Sequence, residues 1–195
     1  HYIGGALPPR PAAAARFAPH AMTLTDAAIC ERNGAAFTRP YQPALRIAAA
    51  GVGAELVLLS HVARAAGHRF CAISPEESVL DQCAADEIFH LKSAGAPPEI
   101  SADPWTAFVF LFHDREWELA LAPQALASSA FYIGAVGSRR THAARLEALR
   151  ARGLDEQSLA RLEGPIGLLP ATRDPSALAI SVLAGVLAAW PHGAS

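Results

Sequence analysis

No C-x-x-C pair occurs in this 195-residue sequence, and its three cysteines, Cys30, Cys71 and Cys83, are an odd number. A disulfide framework and a structural zinc site are therefore not expected, and no metal-ligand set stands out. A reducing, cytoplasmic compartment fits this usage. Positive charge is not in excess either. Sixteen Lys and Arg against 18 Asp and Glu leave a net charge of −2, without the basic footprint of a nucleic-acid binder or of a protein drawn to an anionic membrane. No apolar run is long enough to span a bilayer, and the first residues do not follow a signal-peptide pattern. Apolar residues are what the chain has in quantity. At 52% they exclude disorder of the whole chain, and the length suits one domain with a substantial core.

Residues 1–44 read as an amino-terminal arm and linker. The Ala/Pro-rich start has no sustained period and is either an extended arm or the end of something longer. The stretch TLTDAAICERNGAAF (23–37) predicts a short helix, capped by Thr25 or Asp26 and stopped at Gly34. TRPYQP then reads as linker, because its prolines resist helix. From residue 45 to 195 the rhythm becomes α/β. Strands are expected at 45–50, 68–73, 86–90, 106–112 and 130–136. Helices are expected over 54–67, over 115–128 with a bend or break near Pro123, from Ser138 to Gly153, over 155–162, and after Asp174 with Pro175 in its first turn. Alternation of this kind implies a single Rossmann-like, doubly wound, mainly parallel sheet with helices on both faces. Ligands of such sheets bind beyond the carboxyl ends of the strands, which puts 51–55, 74–78, 113–116 and 137–141 at the binding edge.

Three of these segments carry candidate chemistry. Gly51 and Gly53 form a strand–turn–helix opening of the kind that cradles phosphates. Yet Leu56 stands where a third glycine would, Glu55 adds negative charge to the first helical turn, and Ser74 stands where an acid would hold a ribose. The turn is either a ligand loop or only a tight βα connection. His113 and Asp114 end the most apolar strand. They are an acid/base couple, a pair of ligand-holding groups, or a helix cap beside a rim histidine. At Gly137, Ser138, Arg139 and Arg140, a strand exit meets a capped helix with two cations in its first turn. The helix dipole disfavours cations there, so an anionic partner is expected. His142, Arg145 and Glu147 on the same helix read as surface residues. Cys71 reads as buried and inert, with Cys30 and Cys83 in arm or loop.

At this point the sequence resembles a known family. SAFYIGAVGSRRTHAARLEALRARGL, then GPIGL and TRDPSALAISVLAGVLA, resemble the carboxy-terminal Rossmann domain of the XdhC/CoxI proteins, as does DPWTAFVFLFHD. RIAAAGVGAELVLLSHVARAAGHRFCAISP resembles that family's opening strand, glycine turn, helix and second strand. Two departures stand in that opening: Ala54 replaces a His and Ser74 replaces an Asp. The family's amino-terminal domain has no room within residues 1–44, so the chain is a short member or part of a larger protein. The resemblance implies a non-catalytic accessory factor. It would bind the molybdenum cofactor (molybdopterin), hold it for sulfuration, and help insert it into a molybdenum hydroxylase apo-enzyme of the xanthine dehydrogenase or CO dehydrogenase type. A cysteine desulfurase is an implied partner. Gly51, Gly53, His113, Asp114, Gly137, Ser138, Arg139 and Arg140 would line the cofactor site.

Two other functions remain open on the sequence. An NAD(P)-dependent oxidoreductase would use the glycine turn. A ligand-free docking module would present surface aromatics, with Trp105, Trp117 and Trp190 as anchors. A homodimer is compatible with the apolar helix over 175–190.

Overall fold

A computed structural model of the chain describes residues 27–32, 35–40, 43–112, 115–169, 172 and 174–190, with side chains from 43 onward. The chain divides into two compact units, residues 1–41 and 42–195. In the first, β1 (Ala27–Arg32) pairs antiparallel with β2 (Ala35–Pro40), with Ala27 opposite Pro40 and Arg32 opposite Ala35. The short helix expected here is therefore corrected to a pair of strands, and Thr38 to Pro40, read as linker, belong to β2. The overlooked signal is the Asn33-Gly34 dipeptide between two short runs, the sequence pattern of a two-residue hairpin loop. Thr25, Asp26 and Gly34, the expected cap and stop, lie outside the described residues.

The second unit is built on one parallel sheet. Its strands are β3 (Arg46–Gly51), β4 (Arg69–Ser74), β5 (Glu87–His90), β6 (Thr106–Leu111), β7 (Tyr132–Ala135) and β8 (Leu162–Glu163). They lie in the order β5-β4-β3-β6-β7-β8. The chain winds outward from β3 to β5, then crosses back to β6 and winds the other way, which is the doubly wound Rossmann plan. Both faces are covered. Ile47, Ala49, Ala107, Val109 and Leu111 point to one core, shared with α1 (Gly53–Ala65) and α6 (Pro175–Ala189). Ala48, Ala50, Phe108, Phe110 and Ile133 point to the other, shared with α3 (Arg115–Ala127), α4 (Arg139–Ala151) and α5 (Glu156–Leu159). Two-sided burial is why the strands read as continuous apolar runs rather than alternating ones.

The local rules hold at most element ends. Ser138 accepts a hydrogen bond from the Thr141 N–H at the start of α4, and Asp174 accepts one from the Ala177 N–H at the start of α6, with Pro175 in the first turn. Differences cluster at short elements. A four-residue helix, α2 (Glu77–Leu80), was not expected, and the helix expected over 155–162 stops at Leu159 so that Leu162 can enter β8. Pro123 sits inside an unbroken α3. Trp190 closes α6 by packing on Phe131 and Trp105, with ring centroids 5.0 and 5.7 Å away. All three tryptophans are half-buried, so they serve packing more than presentation. No described helix is long and apolar enough to cross a membrane.

Leu56 is fully buried, in the cluster that joins β3, α1 and α6. Ala49, which β3 turns toward this core, leaves helix–strand space that a leucine can fill, so no third glycine is needed there. Replacing Leu56 with Ala is expected to cost about 2–5 kcal/mol through lost transfer energy and a cavity. The change should appear as a lower urea midpoint at unchanged slope, and an unshifted midpoint would contradict this packing account.

Candidate functional site

The switch point lies between β3 and β6, which leave the sheet side by side toward opposite neighbours. Gly51 pairs with Leu111 across it. A Cβ on Gly51 would lie 2.7 Å from Leu111 Cβ and 3.2 Å from Leu111 O. Glycine is thus required by the neighbouring strand itself. Gly53 opens α1 at φ +71°, a conformation that favours glycine. The N-cap residue, Val52, offers no side-chain hydrogen bond to the first N–H groups of α1. Glu55 folds back toward the turn: its Oε2 lies 3.3 Å from where a Cβ on Gly53 would be. A carboxylate there opposes a pyrophosphate in the usual place. Ser74 is fully buried and accepts a hydrogen bond from the Glu76 N–H at 3.1 Å. It closes its own turn where a dinucleotide enzyme would keep a ribose-binding carboxylate. Beside the turn, Gly53, Ala54, Val57, Leu58, Val79 and Gln82 line a mainly apolar groove of about 340 Å³.

The second candidate loop lies at the end of β7. Gly137 has φ +134°, and a Cβ there would crowd Thr141 at 3.2 Å. Ser138 Oγ accepts from the Thr141 N–H at 3.0 Å and shares a hydrogen bond with Thr141 Oγ1 at 2.9 Å. The expected role of Ser138 is therefore narrowed, because its hydroxyl is already engaged within the cap. Arg139 and Arg140 are exposed, and neither guanidinium has an ion pair or hydrogen bond among the described residues. Their backbone N–H groups, the first two of α4, have no intrahelical acceptor. Two free guanidiniums, two N–H groups and the positive end of a helix make an anion cradle. Arg115, in the first turn of α3, adds another exposed cation at the same sheet edge. His113 and Asp114 lie outside the described residues.

The strand order brings all these exits to one edge without merging them. β6 stands between β3 and β7, so the glycine turn and the arginine cradle are two strand spacings apart, on the order of 10 Å. Among the described residues, no group of three His, Cys, Asp or Glu is placed to hold a metal ion. Burial pushes the Cys71 thiol up to about 12 and raises that of Cys83, which keeps both protonated.

One expectation fails outright at this edge. Arg145, read as a surface residue, is 2% exposed, and its partner is Glu118 of α3, which is also buried. Arg145 Nε and Nη2 both donate to the Glu118 carboxylate, Nη2 also donates to Val136 O at 2.7 Å, and Nη1 donates to His142 Nδ1 at 3.2 Å. His142 is half-buried and packs against Gly164, where a Cβ would meet its ring. Glu147 is exposed, as expected. The missed signal was positional. Ser138, His142, Arg145 and Leu149 are four, three and four residues apart, which places them on one face of α4, and Leu149 is fully buried.

Comparison with known proteins adds a family. The family described as the XdhC Rossmann domain matches residues 47–186. The molybdenum cofactor insertion chaperone PaoD of Escherichia coli K12 is 31% identical over 180 residues, covering 91% of this chain and 51% of PaoD. The uncharacterized protein YqeB of the same organism is 34% identical over 103 residues, covering 51% of this chain and 18% of YqeB. The chain thus spans about half the length of PaoD and less of YqeB. A crystal structure described as a xanthine dehydrogenase from Bacillus halodurans superposes with a TM-score of 0.64 at 22% identity, covering 79% of this chain and 45% of that one. At that identity the likeness shows the fold alone.

The His142 contacts generate a pH dependence. Burial, and then the Arg145 charge, lower its pKa from the ordinary 6.5. Burial lowers that of His68 as well. The unfolded chain then binds protons more readily than the folded one, so stability is full above about pH 6.5 and is lost as the pH falls toward the folded values. The denaturant midpoint is expected to drop between about pH 7.5 and about pH 5.5, and to drop less in a His142→Gln variant. An equal drop in both proteins would remove His142 from this account.

Proposed function

The chain belongs to the XdhC family, and from that premise we propose that it is a molybdenum-cofactor-binding accessory factor rather than a catalyst. In this reading it holds the cofactor while a terminal sulfido ligand is installed and then passes it to the apo form of a molybdenum hydroxylase. A cysteine desulfurase would be the sulfur-supplying partner. Support comes from the family membership, from the name of PaoD, and from the chemistry of the edge.

The observation that carries the reading is the pair of exposed, unpartnered arginines on the first turn of α4. The cofactor is a pterin with a phosphate and an oxo-metal head, and when bound it supplies the redox-active metal that the client enzyme needs. The residues present fit its anionic end at 137–140. Arg139 and Arg140 would pair with the phosphate through their guanidinium groups and present their N–H groups to it. Ser138 would hold the turn in shape from within. Gly51 and Gly53 suit a close approach to the apolar groove, while Glu55 makes that side a poor phosphate site. His113 and Asp114, which follow β6 in the sequence, would contribute hydrogen bonds. Ordinary NAD(P) chemistry is the weaker reading, because Ser74 and Glu55 both occupy positions that a dinucleotide would need otherwise.

The test is a pterin assay. Protein purified gently from a cofactor-producing host is oxidised and its pterin fluorescence compared with that of an Arg139→Glu/Arg140→Glu variant. The wild type is expected to carry pterin at near-stoichiometric level. The variant should bind at least about a hundredfold more weakly, since two charge-assisted contacts become repulsive. Its thermal stability should be unchanged, because both side chains are exposed. Equal pterin in the two proteins would overturn the cradle assignment, and its absence from both would overturn the carrier reading.

A further inference from the structure

Among the groups the proposed site does not use, the pair of Glu118 and Arg145 is the one ion pair among the described residues with both side chains buried. Its three anchor points belong to different parts of the binding edge. Glu118 lies in the first turn of α3, the helix that follows β6 in the chain. Val136, whose carbonyl Arg145 Nη2 holds, is the last residue before Gly137 and the arginine cradle. Arg145 itself lies two turns below Ser138 on the inner face of α4. Val136 is also tied to β6, since its N–H donates to Phe110 O at 3.0 Å. Among the described residues no strand N–H pairs with its carbonyl, and the guanidinium takes over.

Packing alone would not call for charges here. Two apolar side chains of similar volume fill such a space at no loss of stability, and often at a gain. What they cannot do is donate a hydrogen bond to Val136 O while gripping α3 through a two-point fork. The fork also leaves no freedom to rotate. Gly137 stands just above it: a Cβ there would crowd Thr141 at 3.2 Å and would be in ordinary contact with Nη2 at 3.6 Å, so the turn sits directly against the guanidinium.

We propose that Arg145 and Glu118 are positioning residues of the ligand site. They lock the exit of β7 to the start of α3, so that the first turn of α3, with Arg115, and the 137–140 cradle present their groups as one rigid unit. Neither residue touches the ligand; both act through Val136, Gly137 and the first turn of α3. The proposal rests on the cofactor-carrier reading for its ligand, but its mechanical part does not.

The experiment uses the full chain with Glu118→Leu/Arg145→Met, which keeps the volume and removes the charges. Two quantities are read: the pterin carried after expression in a cofactor-producing host, and backbone amide exchange followed by mass spectrometry. The expected result is a folded protein melting near the wild type. Its pterin load should be down by about tenfold or more, the scale seen when outer-layer partners of a binding site are removed. Exchange should rise selectively in peptides covering 115–119 and 136–142. A pterin load within about twofold of wild type, with exchange unchanged in those peptides, overturns the proposal. Faster exchange spread evenly over the chain also overturns it, because that is the mark of a purely structural pair. Should the double variant not fold, Arg145→Lys keeps the charge pair but removes the two-point fork, and is judged by the same readouts. If the wild type itself carries no pterin, the carrier reading fails, and the exchange pattern alone decides whether the pair positions the first turn of α3 and the cradle.

Discussion

A charge taken out of water at the edge of a core must be matched, and at Arg145 the match is complete. Leaving either partner of such a pair alone would cost about 3–5 kcal/mol, so Glu118 and Arg145 are obliged to stay together. That obligation joins α3 to α4 on one face of the sheet. It also fixes the carbonyl of Val136 and with it the direction in which the chain leaves β7. Helix geometry does the rest. With Ser138, His142, Arg145 and Leu149 on the inward face, Arg139 and Arg140 point away from it and stay in solvent. One helix therefore carries both a buried arginine that builds the edge and exposed arginines that remain free to meet an anion.

The opposite half of the edge keeps the Rossmann shape without the usual dinucleotide-binding residues. Each position that a dinucleotide would require has been turned to another use. Gly51 is glycine because Leu111 of the neighbouring strand stands 2.7 Å from any Cβ it could have. Leu56 fills core space that Ala49 of β3 leaves open. Ser74 ties back to the Glu76 N–H. None of these changes disturbs the strand order or the crossovers, because those depend on the two apolar faces of the sheet and not on the loops above it. Gly51 is thus accounted for by the close approach of β6, and on the proposed reading the anionic contacts fall on the far side of the switch point.

The parallel sheet was legible because its strands are apolar on both faces. RIAAAG, RFCAIS and TAFVFL admit few other readings once Gly, Ser and Asp punctuate the segments between them. Helix starts at Ser138 and Asp174 were legible because the caps are local chemistry. The hairpin at β1 and β2 was not, since Ala-rich segments carry little preference and the Asn33-Gly34 signal was outweighed by an expected cap. Arg145 was misread for a different reason. An arginine is usually a surface residue, and nothing local announces that Glu118, 27 residues earlier, will be buried beside it. Only the spacing along α4 pointed inward. Elements of two to four residues, such as β8 and α2, exist because tertiary contacts hold them, so their sequences alone could not mark them.

A carrier has to bind its cargo and then release it, and the distribution of arginines suits that requirement on the proposed reading. A cofactor phosphate gripped by buried arginines would be held in a low-dielectric setting, where each contact is strong and its loss leaves an unpaired charge. Release would then be slow. Contacts made by Arg139 and Arg140 are screened by water and salt and can be exchanged one at a time for those of a receiving enzyme. Affinity would come from several modest interactions that a rigid edge presents together, and rigidity would come from the arginine that the cargo never meets. Such a division keeps the cost of ordering the loops out of the binding step, since Glu118 and Arg145 have already met it in the folded apo protein. The same logic explains why Ser138 spends its hydroxyl inside the cap: a turn that must hold its shape without the ligand cannot leave its own cap to the ligand.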